Sequence, residues 1–351
     1  MSEEKVVSGL ELWQWRNAAI NGAKLADVSP MEVDWILQEV AGLNTLSLRL
    51  ELFKDRSQIP LTMPLSKLNQ LWQKRLQERL PVQYITGITP WRNFSLIVSP
   101  AVLIPRPETE LLIDLAVEAV QGYRGAGVQG CRGAGEKTQN FLPNSKLKTQ
   151  NSKLSQSPVP SPHSQLKTQK TKLRTSPTHW ADLGTGSGAI AIGLADGFPH
   201  AIIHAVDQSI EALNIAQENA QRLGFLPRIN FYQGSWFAPL QELKGKLTGM
   251  VSNPPYIPSN IVPTLQPEVA NHEPHLALDG GNDGLDCIRL LVAEAPEYLL
   301  PGGIWLSETM AGQTEAVVEL LKHQGSYCNI QVFADLSGID RFVLAFRSEY
   351  E

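Results

Sequence analysis

Cysteine is scarce in this 351-residue chain, occurring only at Cys131, Cys287 and Cys328. There is no CxxC pair and no neighbouring histidine cluster, so neither a disulfide framework nor a structural metal site is expected. The odd number and wide spacing read as reduced thiols. No apolar run reaches the roughly eighteen residues of a membrane-spanning helix. The opening MSEEKVVSGLELWQW has no basic region leading into an apolar stretch and cleavage site, so a cytoplasmic protein is expected. Basic charge is also sparse outside one segment. Residues 123–178 hold ten Lys or Arg and one acid, or +9, which leaves −14 on the rest of a chain whose total is −5. An acidic body argues against direct nucleic-acid binding by the folded parts and suits a basic protein partner.

What is present divides the chain into parts. Residues 1–83 read as a helical unit. Ser29-Pro30-Met31-Glu32 has the form of a capping box, and Val33, Ile36, Leu37 and Val40 follow at helical spacing. Leu65, Leu68, Leu71, Trp72, Leu76 and Leu80 form a second stripe that Pro81 closes. Residues 84–105, with Gly87 and Pro90, predict a β-hairpin linker. Residues 106–351 then alternate strand and helix, which predicts an α/β domain: a mostly parallel sheet, Rossmann-like, closed by an antiparallel C-terminal hairpin. This domain is interrupted at 123–178 by a Gly-, Ser-, Gln- and Lys-rich insertion in which YRGAG returns as CRGAG and LKTQNSKL as LKTQKTKL. That composition predicts disorder.

Asp182-Leu-Gly184-Thr185-Gly186-Ser187-Gly188 falls where a strand passes into a helix, and Asp207 ends the next strand. Glycines there let the backbone turn and approach a ligand, and Asp207 can accept from ribose hydroxyls. The same letters fit a dinucleotide fingerprint through Gly184, Gly186 and Ala189, so a nicotinamide-dependent oxidoreductase is one alternative. S-adenosylmethionine is favoured, because it has no pyrophosphate and because Asp182 suits its cationic amino-acid end.

Strand GMVS runs into Asn253-Pro254-Pro255-Tyr256. An amide nitrogen is a poor nucleophile, since its lone pair is delocalised into the carbonyl. The Asn253 side-chain oxygen and the Pro254 carbonyl can each accept one of its N–H protons, the prolines hold these acceptors together, and Tyr256 offers a flat face. Amide methylation is the chemistry these residue types fit. An exocyclic amine of a nucleic acid is the alternative acceptor.

With these motifs in view the chain resembles the release factor glutamine methyltransferases. The resemblance rests on Arg79–Gly87, Val102-Leu-Ile-Pro-Arg-Pro-Glu-Thr-Glu110, Asp182–Gly188, Asn253–Tyr256, Glu273–Asp286 and Asp335–Arg341. It implies a class I S-adenosylmethionine-dependent methyltransferase that modifies the glutamine side chain of a Gly-Gly-Gln motif in peptide chain release factors. It implies further that Gly184, Thr185, Gly186, Ser187, Gly188, Asp207 and Asn253 bind cofactor, with Trp236 beside the adenine. Asn253, Pro254, Pro255 and Tyr256 would hold the glutamine, Arg106 and Glu108 would flank the mouth of the site, and the N-terminal helices would dock the release factor. Ser235 stands where many such proteins carry an acid near the adenine, and the basic insertion departs from the usual pattern.

Overall fold

The computed structural model describes residues 5–125 and 177–349. The insertion predicted over 123–178 lies outside these residues except at its two ends.

The N-terminal part comprises β1 (Val6–Val7), α1 (Gly9–Leu25), α2 (Met31–Ala41), α3 (Thr45–Arg49), β2 (Ile59–Pro60), α4 (Leu65–Gln77) and α5 (Val82–Thr86). The Leu and Trp stripes face inward: Leu12, Ile36, Leu37, Leu68 and Trp72 are buried in one cluster, separate from those of the sheet. A capping box opens α1. The Ser8 hydroxyl accepts from the Glu11 amide, and the Glu11 carboxylate accepts from the Ser8 amide. The capping box predicted at Ser29–Glu32 does not form. Pro30 precedes α2 with no side-chain cap, and the Glu32 carboxylate accepts from Arg75 of α4 at 2.7 Å instead. A buried guanidinium is a stronger partner for a carboxylate than a solvated backbone amide.

The linker hairpin is shorter than predicted. It consists of β3 (Ile88–Trp91) and β4 (Phe94–Ile97), because residues 84–86 complete α5. A 3-10 turn, Glu108–Glu110, then leads into α6 (Leu111–Gly125).

The sheet is built from β5 (His179–Leu183), β6 (Ile202–Asp207), β7 (Ile229–Gln233), β8 (Leu247–Ser252), β9 (Leu299–Glu308), β10 (Tyr327–Ala334) and β11 (Asp340–Arg347). The helices between them are α7 (Ala189–Gly197), α8 (Ile210–Arg222), α9 (Pro267–Ala270), α10 (Asp286–Tyr298) and α11 (Thr314–Gln324). The strand order is β10-β11-β9-β8-β5-β6-β7. The pairings are parallel from β9 through β7, while β11 runs antiparallel to both β9 and β10. The predicted alternation of strand and helix, the mostly parallel sheet and the antiparallel C-terminal hairpin are all present. Helices α6, α7 and α8 supply the core on one face of the sheet, and α10 and α11 supply the other. From β5 the chain winds outward to β7, then returns to β8 on the opposite side of β5. The crevice at the carboxyl ends of β5 and β8 is therefore the switch point where such sheets bind ligands.

Two further observations bear on the sequence reading. Cys287 is free, and Cys131 lies outside the described residues. Among the described residues, no helix is long and apolar enough to cross a membrane.

Candidate active site

The loop leaving β5 supplies the first wall of the site. Gly184, Gly186 and Gly188 all have positive φ, at 80°, 53° and 82°. Nothing lies within 4 Å of where a Gly186 Cβ would be, so the loop is open there. Beneath it Asp182 is fully buried. Its Oδ2 accepts from the Thr185 hydroxyl at 2.6 Å and from the Ala191 amide at 2.9 Å. Its Oδ1 is buried with no partner. Burial pushes this carboxyl up to about 7, against the pull of the two donors, and the Asp207 charge adds to the rise. A lone buried acceptor under a glycine loop fits a ligand that brings a cationic donor, as the amino group of S-adenosylmethionine would. The Thr185 hydroxyl serves Asp182 and does not face the open side of the loop, and Ser187 is buried.

Asp207, at the end of β6, accepts from the Gly186 amide at 2.8 Å through Oδ2 and from the Ser209 amide at 2.9 Å through Oδ1. Each carboxylate oxygen has a second acceptor site, so the pair still suits two ribose hydroxyls. Burial pushes its pKa up, while those backbone donors pull it down. Trp236 holds the left-handed φ of 48°, and its ring edge lies 3.6 Å from the Cβ position of Gly184. A bulky residue in that conformation is strained, and such strain collects at ligand sites. Asn219 of α8 fastens the loop from behind. Its Nδ2 donates to the Ser187 and Ile97 carbonyls, both at 2.9 Å, and its Oδ1 accepts from the Ile97 amide at 2.6 Å. The linker hairpin and the glycine loop thus share one fully satisfied buried amide.

Across the switch point, β8 delivers Asn253–Tyr256. A cavity of about 180 Å³ opens here, lined by Arg106, Asn253, Pro254 and Tyr256 together with Leu265, Val269, Leu278 and other apolar groups. Its floor is fixed by close backbone packing. A Cβ on Gly280 would meet the Pro255 carbonyl at 2.7 Å, and Gln313 donates to the Tyr256 carbonyl at 2.9 Å. Arg106 donates to Glu273 at 2.7 Å, a carboxylate with only 1% of its side chain exposed. Burial pushes Glu273 up, and the Arg106 charge and hydrogen bond oppose that. Glu108 is exposed and is not among the cavity-lining residues.

Two buried residues outside the expected set hold the side chains of Asn253 and Tyr256. Thr109 accepts from Asn253 Nδ2 at 3.2 Å and donates to Glu308 Oε2 at 2.7 Å. Tyr256 donates to Glu308 Oε1 at 3.0 Å. Burial pushes Glu308 up, opposed by the two hydroxyls and the Arg341 charge, while Glu108 adds to the rise. A sequence signal existed for each, since Thr109 lies inside Val102–Glu110 and Glu308 is an acid ending the apolar strand GIWLSE.

This fold, with its glycine loop, an acid ending β6 beside that loop and an Asn-Pro-Pro-Tyr turn at the switch point, defines an S-adenosylmethionine-dependent methyltransferase. Comparison with known proteins agrees. Residues 164–266 match the methyltransferase small domain. The chain is 43% identical to a release factor glutamine methyltransferase of a Synechocystis species, over 97% of each chain. It is 41% identical to one of Thermosynechococcus vestitus, over 95% of this chain and 96% of that one. A solved methyltransferase of Pyrococcus furiosus is 17% identical over 49% of this chain and 76% of its own, with a TM-score of 0.37. The chain belongs to the release factor glutamine methyltransferase family.

Proposed function

We propose that the protein methylates the side-chain amide nitrogen of the glutamine in the Gly-Gly-Gln motif of peptide chain release factors. The observation that carries this reading is the cavity bounded by Asn253, Pro254, Tyr256 and Arg106 at the switch point, beside a loop suited to S-adenosylmethionine. The cofactor supplies an electrophilic methyl group on a sulfonium. Asp182 would hold its amino group, Asp207 its ribose, and Trp236 would lie against its adenine. Asn253 Oδ1 and the Pro254 carbonyl accept the two N–H protons of the incoming amide. That turns the nitrogen lone pair toward the methyl group and stabilises positive charge as it grows on nitrogen. Tyr256 supports the flat amide. No base is needed before transfer, because the nitrogen becomes acidic only after it is alkylated.

Residues 1–83 serve as the docking unit for the release factor, residues 84–105 as the linker and residues 106–351 as the catalytic unit. Labelled S-adenosylmethionine tests the reading against a purified release factor, a variant of it with the motif glutamine replaced, DNA and rRNA. Label is expected on the intact release factor alone. Label on rRNA or DNA instead would replace this reading with nucleic-acid amine methylation. Asn253→Ala should lower kcat by about a hundred-fold or more, since it removes an acceptor needed most in the transition state, with the thermal melt little changed. Activity within a few-fold of wild type would overturn the role given to Asn253.

A further inference from the structure

We infer that Glu308, acting through Thr109, sets the hydrogen-bond polarity of the site, turning the Asn253 side-chain oxygen rather than its NH2 group toward the substrate. This rests on the role proposed for Asn253 and adds two positioning residues to it.

The argument is a count of protons. Glu308 ends β9 with 2% of its surface exposed, and an ionised carboxylate can only accept. Its Oε2 takes the Thr109 hydroxyl proton at 2.7 Å and its Oε1 takes the Tyr256 hydroxyl proton at 3.0 Å. A threonine hydroxyl has one proton. With that proton given to Glu308, Thr109 turns only lone pairs toward Asn253, and only the Nδ2 end of the amide can face it, as found at 3.2 Å. The Oδ1 end is left for the cavity. An asparagine amide has nearly the same shape either way round, so packing alone does not choose between the two orientations. The wrong one would set N–H against the N–H of the substrate. The same count fixes Tyr256, whose oxygen keeps only lone pairs to offer. Burial pushes the Glu308 carboxyl up, and the Thr109 and Tyr256 hydroxyls and the Arg341 charge oppose that by favouring the ionised form the count uses.

Three variants of the full-length protein test this with labelled cofactor and a purified release factor. Thr109→Val removes the hydroxyl at nearly constant volume and should lower kcat about ten-fold or more, the usual scale for losing a group that orients a reactive one. Its KM for the release factor and its affinity for S-adenosylhomocysteine should stay near wild type. Thr109→Ser restores the hydroxyl and should return kcat to within a few-fold. Glu308→Leu should behave as Thr109→Val does, because it removes the acceptor that holds the Thr109 proton and frees that proton to turn toward Asn253. A measurement without a methyl acceptor stands beside these. In protein with labelled asparagine side chains, the Asn253 NH2 protons should show an NOE to the Thr109 side chain, and Glu308→Leu should lose it. Thr109→Val with wild-type kcat, Thr109→Ser as impaired as Thr109→Val, or an NOE that survives in Glu308→Leu would each overturn the inference. If wild type labels no release factor, the substrate reading fails, and the NOE still decides the role of Glu308.

Discussion

Asp182 sets charge against burial beneath the glycine loop. In cofactor-free protein its carboxyl titrates at about 7, whereas an unfolded aspartate titrates near 4. The folded state therefore binds the proton more tightly. The stability this contributes is complete below about pH 4 and is lost as pH rises through 7. A bound amino group reverses the balance by favouring the ionised form. The thermal shift produced by S-adenosylhomocysteine should thus be larger at pH 8 than at pH 5.5. Asp182→Asn should flatten that difference and weaken cofactor binding by roughly ten- to a hundred-fold, the scale of one charge-assisted hydrogen bond. It should also melt no earlier than wild type without cofactor at pH 8. Calorimetric titration and melting curves at the two pH values check all three outcomes. Asp182 and Asn253 stood out in the sequence because each sits in a short contiguous motif, and Asp207 because it ends the strand that follows the glycine loop. The Thr109–Glu308 pair was not, since its partners are 199 residues apart and a lone acid at a strand end does not name its donor.

At the scale of elements, the glycine loop shows why equal letters carry unequal constraints. Gly186 and Gly188 both have positive φ, so an alanine at either costs about 1 kcal/mol in backbone strain. At Gly186 the added Cβ meets nothing within 4 Å, whereas at Gly188 it comes within 3.2 Å of the Cα and 3.1 Å of the Cβ of Ala216 in α8. Gly188→Ala should therefore be the more damaging to stability, by about 1 kcal/mol beyond Gly186→Ala, as α8 is pushed from the loop. Urea melts of the two variants measure the difference, and equal losses would show that α8 yields freely. The elements themselves were legible because alternating strand and amphipathic helix patterns are local. Where local reading failed, a distant partner had intervened, as when Arg75 drew Glu32 away from the cap at Ser29. The hairpin was foreseen, but not its tie through Asn219, which lies 122 residues from Ile97.

On the scale of the whole molecule, the helical N-terminal part and the catalytic part meet at a buried cation. Arg75, 6% exposed, donates to Glu32 of its own unit and at 2.8 Å to Glu268 of α9, which Arg79 also reaches at 2.8 Å. The next residue after Glu268, Val269, lines the cavity. Arg75→Ala would leave two carboxylates facing each other without their shared cation, and should cost about 3 kcal/mol in a denaturant melt. Glu268→Gln should cost less, since Arg75 keeps Glu32. The reverse order would show that the contact between the two parts, not the pair within the N-terminal part, dominates.

That clasp also has a place in time. The chain is made from its amino terminus, and Glu268 follows Arg75 by 193 residues. The first helices can bury Leu12, Ile36 and Trp72 together as soon as they emerge, but the second carboxylate for Arg75 is not yet made. Through most of synthesis the nascent protein carries an arginine with one arm still reaching for a partner, which only a chain made past α9 can supply. A chain cut short before Glu268 keeps that arm exposed. The finished enzyme hides it, so the contact that joins the two parts forms only once synthesis has passed Glu268.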